Sequence, residues 1–192
     1  MSSVVLTGDT SGSGTITVPA VAGTFTATIG SATGTHYPFT AGTAVASTSG
    51  TSIDFTSIPS WVKRVTVQLA GVSVSSTGKI QVQLGTGGTP TYTTSGYVGS
   101  TTDMTGSLAT SNISTGFMLN NSGAAFTFQG AFTITNVTGN TWVCTAVVSQ
   151  SDAARSYLVS GTIALAASLT AVRITTNSTD TFDAGSINIL YE

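Results

Sequence analysis

Hydrophobic and polar residues alternate along residues 63–74 more regularly than anywhere else in the chain. A second alternating run follows at residues 79–84, after four small residues at 75–78. Because successive side chains of a β-strand point to opposite faces, the pattern predicts two strands, each with one buried and one exposed face. The short connection predicts that they pair as a hairpin. The predicted buried positions are Val65, Val67, Leu69, Val72, Val74, Ile80, Val82 and Leu84, and the predicted exposed positions are Arg64, Thr66, Gln68, Lys79, Gln81 and Gln83.

Further strand candidates follow at short intervals, separated by turn signals rich in Asn and Gly. Strong helix formers are scarce, whereas Thr, Val and Ile, which fit a pleated sheet, are common. Many short strands with regular turns indicate an all-β fold, an antiparallel β-sandwich or jelly roll. Asp152 before two alanines leaves one alternative open, a helix within residues 152–173. The other predicted strands are residues 113–119, 125–135, 141–149, 157–165, 170–176 and 186–191.

The first 50 residues differ in pattern from the rest of the chain. They contain two short strand candidates, residues 14–18 and 24–29, followed by small residues of the kind found in linkers. Two strands cannot bury a core alone, so this extended β segment is expected to pack on the main domain, on sister chains or on another protein. We therefore divide the chain into an N-terminal attachment segment (1–40), a linker (41–50) and a β-sandwich domain (51–192).

Charge is sparse in this chain of 192 residues, because 6% of the residues are charged against roughly 25% in an average soluble domain. Five basic residues and a net charge of −2 exclude a protein that binds nucleic acid by neutralising phosphates. One cysteine and one histidine exclude a disulfide framework and most zinc sites. We find no apolar run of membrane-spanning length and no secretory signal. Few Lys, Glu or Pro residues protect the sheet edges, which favours a protein built into an assembly.

Two stretches of the sequence carry a family resemblance. Residues 50–67 read GTSIDFTSIPSWVKRVTV, and residues 173–192 contain RITT and TDTFDAGSINILYE. Over residues 50–192 the chain resembles a β-sandwich domain of bacteriophage tail-fibre and virion-appendage proteins. Residues 8–34 resemble a short N-terminal module of phage fibre-like proteins. The resemblance implies a small domain that is displayed on a phage particle as a homotrimer.

Two tyrosines, Tyr92 and Tyr97, are the candidate ligand-binding residues. They lie in a predicted loop, residues 85–112, that is rich in Gly, Thr and Ser. Exposed aromatic rings on such a loop can stack on sugar rings, while the neighbouring hydroxyl and amide groups supply hydrogen bonds. The alternative interpretation is that both rings anchor their own loop or contact a neighbouring chain.

The remaining reactive side chains have structural interpretations. Asp180 and Asp183 fit a turn in which carboxylates bind backbone amides better than they fit a calcium site. Cys144 is expected to be buried and inert, and His36 to lie on a surface or at an interface. The acidic residues lie mostly at predicted turns or strand starts, so we expect no pair of catalytic carboxylates and no enzymatic activity.

Together these observations predict a structural protein of a bacteriophage virion, made in the host cytoplasm, that acts through assembly and binding. It would be a short fibre or another surface appendage, associated with the tail or the head. The predicted partners are further copies of the chain, as a homotrimer, and other virion proteins bound through the N-terminal segment. No cofactor, metal, nucleic acid or membrane is expected. Two alternatives remain: a carbohydrate-binding module that adsorbs to a host surface glycan, and a capsid decoration protein.

Overall fold

The chain divides into two compact units, Met1–His36 and Tyr37–Glu192. The described residues of the first unit form an antiparallel pair of strands, β1 (Ser3–Thr7) and β2 (Ser13–Thr17). The β2 strand matches the predicted strand at 14–18, whereas the predicted strand at 24–29 lies outside the described residues. The computed structural model describes residues 3–7, 13–17, 39–104, 109–120 and 123–192.

The second unit is all-β, and its described residues contain no helix. Residues 151–154 form a turn between two strands, so the alternative of a helix within 152–173 is wrong. The strands are β3 (Thr40–Ala41), β4 (Val45–Ala46), β5 (Ser52–Phe55), β6 (Arg64–Val74), β7 (Ile80–Thr86), β8 (Thr91–Tyr92), β9 (Val98–Met104), β10 (Ala109–Ile113), β11 (Phe117–Met118), β12 (Phe128–Thr138), β13 (Thr141–Gln150), β14 (Arg155–Ala164), β15 (Leu169–Thr176) and β16 (Phe182–Tyr191).

Two antiparallel sheets make up this unit, as the sequence predicts. The larger sheet has nine strands in the order β10-β9-β14-β13-β12-β6-β16-β3, and β4 also pairs with β16. The smaller sheet has five strands in the order β11-β7-β15-β5, and β8 pairs with β7. Alternate side chains of both sheets are apolar and buried, and they form one hydrophobic core. Burial of apolar surface between the two sheets therefore provides the main stabilisation of the fold.

The predicted hairpin between residues 63–74 and 79–84 is wrong, although all of its apolar positions are buried. The β6 strand lies in the larger sheet between β12 and β16, whereas β7 lies in the smaller sheet beside β15. The connection between β6 and β7 therefore crosses from one sheet to the other. Alternation fixes which face of a strand is buried, but two strands on opposite sides of one core show the same alternation as two paired strands.

The predicted exposure of the polar face of β7 is also wrong. Gln81 and Gln83 are 4% and 5% exposed, although they point away from the hydrophobic core. The segment 114–118, which ends in β11, covers them, and Thr115 hydrogen-bonds to both side chains. A polar strand face is thus buried here because another polar segment satisfies its hydrogen bonds.

Two segments predicted to be irregular belong to sheets. The predicted loop at 85–112 contains β8, β9 and part of β10, and β9 pairs with β14 along its whole length. The predicted linker at 41–50 contains β4 and the end of β3, both paired with β16. Ser47 in this segment is buried, and its hydroxyl donates to the Ala184 carbonyl at 2.7 Å. The linker is therefore bound to the larger sheet.

Candidate functional site

The outer face of the smaller sheet carries a charged and aromatic cluster. Arg173 on β15 lies opposite Asp54 on β5, and its Nε and Nη2 atoms donate to the two Asp54 carboxylate oxygens at 2.8 and 2.7 Å. The guanidinium carbon lies 3.9 Å from the ring centroid of Tyr92. A two-point hydrogen bond and a cation–π contact together fix the Arg173 side chain in one orientation.

Tyr92 is half-buried within this cluster and is not a free stacking surface. Its ring lies over Gly85 of the neighbouring strand, where a Cβ atom would come within 2.9 Å of two ring carbons. Arg173 covers the ring as well. Burial, together with the nearby Asp54 carboxylate, raises the pKa of Tyr92 to about 12. The hydroxyl is therefore neutral at physiological pH, and the ring serves to hold Arg173 in place.

Tyr97 lies in the hydrophobic core, so the expectation that both tyrosines are exposed is wrong for this residue. Its side chain is 3% exposed, and its ring meets that of Phe117 edge-on at a centroid distance of 5.0 Å. Its hydroxyl accepts a hydrogen bond from the Leu84 amide at 2.8 Å. The β11 strand pairs with residues 81 and 82 of β7, and β8 pairs with residues 85 and 86. The Leu84 amide lies between these two contacts and bonds to the Tyr97 hydroxyl instead of to a strand. Burial raises the pKa of Tyr97 to about 12.

An open polar groove of about 710 Å³ lies beside this cluster, on the same face of the smaller sheet. Gln81 and Gln83 of β7 line it. The other lining residues come mainly from residues 114–118, which end in β11, and from residues 176–179, which begin at the last residue of β15. The lining side chains carry amides, hydroxyls and one thioether, and none of them is ionised. Its lining residues are Gln81, Gln83, Thr94, Ser114, Thr115, Met118, Thr176, Asn177, Ser178 and Thr179.

The two glutamines of this groove are held in fixed orientations. The Thr115 hydroxyl donates to Oε1 of Gln81 at 2.9 Å, and Nε2 of Gln81 donates to the Thr176 carbonyl at 3.4 Å. Nε2 of Gln83 donates to the Thr115 carbonyl at 2.9 Å. The alternation of β7 predicted that both glutamines lie on a solvated strand face. The available signal was that two uncharged amides alternate with apolar residues in β7, where Lys or Glu would be the common choice for a solvated face.

A second surface of interest is the outer face of the larger sheet, which we call the neutral face. One row of opposed residues across it runs Leu190, Thr66, Thr133, Thr145, Ser160, Ser100 and Asn112. The next row runs Asn188, Gln68, Ala131, Val147, Leu158, Thr102 and Thr110. Neither row contains an ionisable side chain, and Val147 and Leu158 are 61% and 41% exposed.

The other candidate residues have structural surroundings. Cys144 is fully buried, as predicted, and this burial raises its pKa. The Asp180 carboxylate accepts a hydrogen bond from the Gly78 amide at 2.6 Å, so it binds a backbone amide of a segment 102 residues away and not of its own turn. Asp183 lies exposed on β16, so its predicted place in a turn is wrong, and His36 lies outside the described residues. Within the described part of the chain, no three His, Cys, Asp or Glu side chains converge on a potential metal position.

Comparison with protein-family models, with curated proteins and with solved structures finds no significant match to this chain. The described residues include no helix that is long and apolar enough to cross a membrane. Two surfaces therefore remain as candidates for function, the neutral face of the larger sheet and the polar groove on the smaller sheet.

Proposed function

We propose that this chain is a structural protein of a bacteriophage virion that assembles as a homotrimer and acts by binding and not by catalysis. The neutral face of the larger sheet is the observation that carries the assembly part of this proposal. The virion part is supported by the resemblance of residues 50–192 and 8–34 to modules of phage appendage proteins. In this proposal the unit Met1–His36 attaches the chain to other virion proteins.

The neutral face suits contact with further copies of the same chain because little charge has to be desolvated when it is covered. Removing an ionised side chain from water is expensive, whereas hydroxyl and methyl groups can be buried at small cost if hydrogen bonds are re-formed. The Arg64–Glu192 ion pair lies at one end of the face, outside the two central rows. In a trimer one half of this face on each copy would meet the other half on the next copy, and neither of the two central rows carries a charge that would oppose this contact.

The neutral face supplies most of the area that a stable contact needs. Seven strands about 4.8 Å apart, with roughly six residues of about 3.3 Å along each, give a face of roughly 30 by 20 Å, or about 600 Å² in projection. A stable interface buries roughly 800 Å² on each partner, and the relief of the side chains adds to the projected area. Val147 and Leu158 project from the centre of the face, where burial of apolar groups contributes most to binding.

The assembly is tested by measuring the mass of the purified chain by light scattering at micromolar concentration. We expect three times the chain mass of 19.2 kDa. Val147→Glu places a charge in the centre of the neutral face and should give a folded monomer, with a circular dichroism spectrum like that of the wild type and a melting temperature that no longer depends on protein concentration. Val137→Glu is the matched control, because Val137 is equally exposed at 61% but lies at the turn end of β12. A monomeric wild-type chain, or trimers from both variants, would contradict the proposal.

The virion assignment has its own test, which is antibody labelling of purified phage particles viewed by electron microscopy. Label on the tail would identify a fibre or adsorption component. Label over the head would identify a head fibre or a decoration protein. Particles that contain no copy of the chain would rule out the virion role while leaving the assembly result unaffected.

A further inference from the structure

From the groove on the smaller sheet, we infer that the chain binds a neutral glycan, a short oligosaccharide without ionised groups, along the exposed hydroxyl and amide groups that surround Gln81 and Gln83. This site is distinct from the neutral face, because the two surfaces belong to different sheets. Sugar binding in the groove depends neither on trimer formation nor on incorporation into a virion. The groove replaces Tyr92 and Tyr97 as the candidate site for a sugar.

The chemistry of the groove matches a ligand that carries many hydroxyl groups. All but one of its lining residues present an amide or a hydroxyl group. Such side chains both donate and accept hydrogen bonds, as sugar hydroxyls do. The exception is Met118, whose flexible apolar side chain can contact the C–H face of a sugar ring. About 710 Å³ of space lies within the range of roughly 300–1,000 Å³ that is typical of small-molecule sites.

The internal hydrogen bonds of the groove order its floor. The Thr115 hydroxyl donates to Oε1 of Gln81, and Nε2 of Gln83 donates to the Thr115 carbonyl. The groups that a ligand meets are on the exposed lining residues Thr94, Ser114, Thr115, Asn177, Ser178 and Thr179. Because the floor beneath them is already ordered, a ligand loses little free energy to ordering it.

Both walls of the groove are tied to the start of β7. The amide of Leu119 donates to the Ile80 carbonyl at 2.9 Å, which fixes the wall that contains β11. The amide of Asn177 donates to the Lys79 carbonyl at 3.0 Å, and Oδ1 of Asn177 accepts from the Lys79 amide at 2.8 Å. These bonds fix the wall after β15. The shape of the groove is thus set in the free protein, as in most small-molecule sites.

Other ligand classes fit the groove less well. A phosphate or a sialylated glycan would need a free cation, and the two basic side chains beside the groove are both engaged. Arg173, opposite Gln83 on β15, binds the Asp54 carboxylate, and the Lys79 ammonium donates to Oδ1 of Asn120 at 2.9 Å. A peptide would need either a free strand edge or apolar pockets. The floor here is the face of a sheet, and Met118 is the one apolar side chain among the described residues that line the groove. A neutral polyhydroxylated ligand requires neither a cation nor an edge.

The test is binding of the fluorescently labelled full chain to an array of immobilised neutral and anionic oligosaccharides, followed by titration of the free sugar that binds best. We expect binding to neutral oligosaccharides. Thr179→Trp fills the exposed rim of the groove and should weaken binding by about tenfold or more, which corresponds to roughly 1.4 kcal/mol. Thr51→Trp is the matched control, since Thr51 lies directly before β5 of the same sheet and is exposed but does not line the groove.

A second variant addresses the floor of the groove. Gln83→Met keeps the volume of the side chain but removes its amide, and it should also weaken binding while a thermal melt confirms that the chain is folded. Three results would overturn the inference. These are binding to no neutral oligosaccharide on the array, binding to anionic glycans alone, and equal affinity of Thr179→Trp and Thr51→Trp for the sugar.

Discussion

Tyr97 shows how a single buried hydroxyl can both complete a sheet and make stability depend on pH. The hydroxyl satisfies the Leu84 amide, and the ring fills the core beside Phe117. Burial raises its pKa to about 12 in the folded chain, whereas an unfolded tyrosine ionises near its ordinary value of 10.0. The unfolded state therefore releases this proton first as pH rises. The contribution of Tyr97 to stability is present in full below about pH 10 and is lost as pH rises towards 12.

We therefore expect the free energy of unfolding to fall between about pH 10 and pH 12, with about 2 kcal/mol of the loss due to Tyr97. Tyr97→Phe should lower stability by about 1–2 kcal/mol near pH 8, because the Leu84 amide loses its partner. The same variant should show a shallower decline above pH 10. Urea unfolding across this pH range measures both effects. An equally steep decline in the variant would show that another group is responsible.

Among the strands, β16 has the most irregular pairing, because its register with β6 shifts on both sides of Ala184. Gly185 has a φ of +90°, a conformation that residues with a side chain rarely adopt. A Cβ atom at this position would overlap the backbone carbonyl oxygens of Ala70 and Gly71. The two strands approach so closely here because a glycine lies in the bulge.

Gly185→Ala should therefore lower the free energy of unfolding by about 3 kcal/mol, through backbone strain and overlap with β6. Gly88→Ala is the matched control, because nothing lies within 4 Å of a Cβ built at Gly88 and its φ is not positive. That variant should stay within about 0.5 kcal/mol of the wild type. Chemical denaturation of the three proteins checks this, and similar stabilities of the two variants would contradict the role of Gly185.

Comparison of individual strands explains how much of the fold the sequence predicts. The strands β6, β12, β13 and β15 were predicted because each has a clear apolar face against the core. The β9 strand was missed because its inward positions are polar. Thr101 accepts a hydrogen bond from the Asn120 amide at 3.0 Å, and Asp103 lies 3.8 Å from Arg155. These neighbours of Thr101 and Asp103 come from distant parts of the sequence, so no local pattern reveals that the two residues are buried.

The candidate groove escaped prediction for a related reason. Its floor comes from β7, and its walls come from residues 114–118 and 176–179, which are close only in the folded chain. Alternation placed Gln81 and Gln83 correctly on the side away from the hydrophobic core, but it could not indicate what covers them. The tyrosines attracted attention because aromatic rings in a Gly-rich segment resemble a sugar site. In the structure one ring holds Arg173 and the other fills the core.

For the whole molecule, the two proposals give the two sheets different roles, with the larger sheet facing sister chains and the smaller sheet facing a ligand. Three linked grooves would bind an array of glycans more tightly than one groove, because the second and third contacts form within a complex that already exists. Weak binding to a single sugar would then be sufficient for firm attachment to a surface.

We expect Val147→Glu, as a monomer, to bind a glycan-coated surface about 100-fold more weakly than the wild type. Its affinity for the same free oligosaccharide in solution should be unchanged, because the groove lies on the other sheet. Surface plasmon resonance measures the first quantity and calorimetry the second. Equal retention of monomer and wild type on a densely coated surface would contradict this prediction, because it would show that assembly does not strengthen binding to the glycan.

The position of β16 has a consequence for the biosynthesis of the protein. This strand, Phe182–Tyr191, lies inside the larger sheet, where it joins β6 to β3 and β4 from the opposite end of the unit. Until β16 leaves the ribosome, one edge of β6 is unpaired, and β3 and β4 lack the strand with which they pair. Completion of the sheet therefore waits for β16, and the late closure of contacts between residues far apart in sequence makes folding slow. During that interval the unpaired edge of β6 can pair with a strand of another chain, so the incomplete sheet is prone to aggregation.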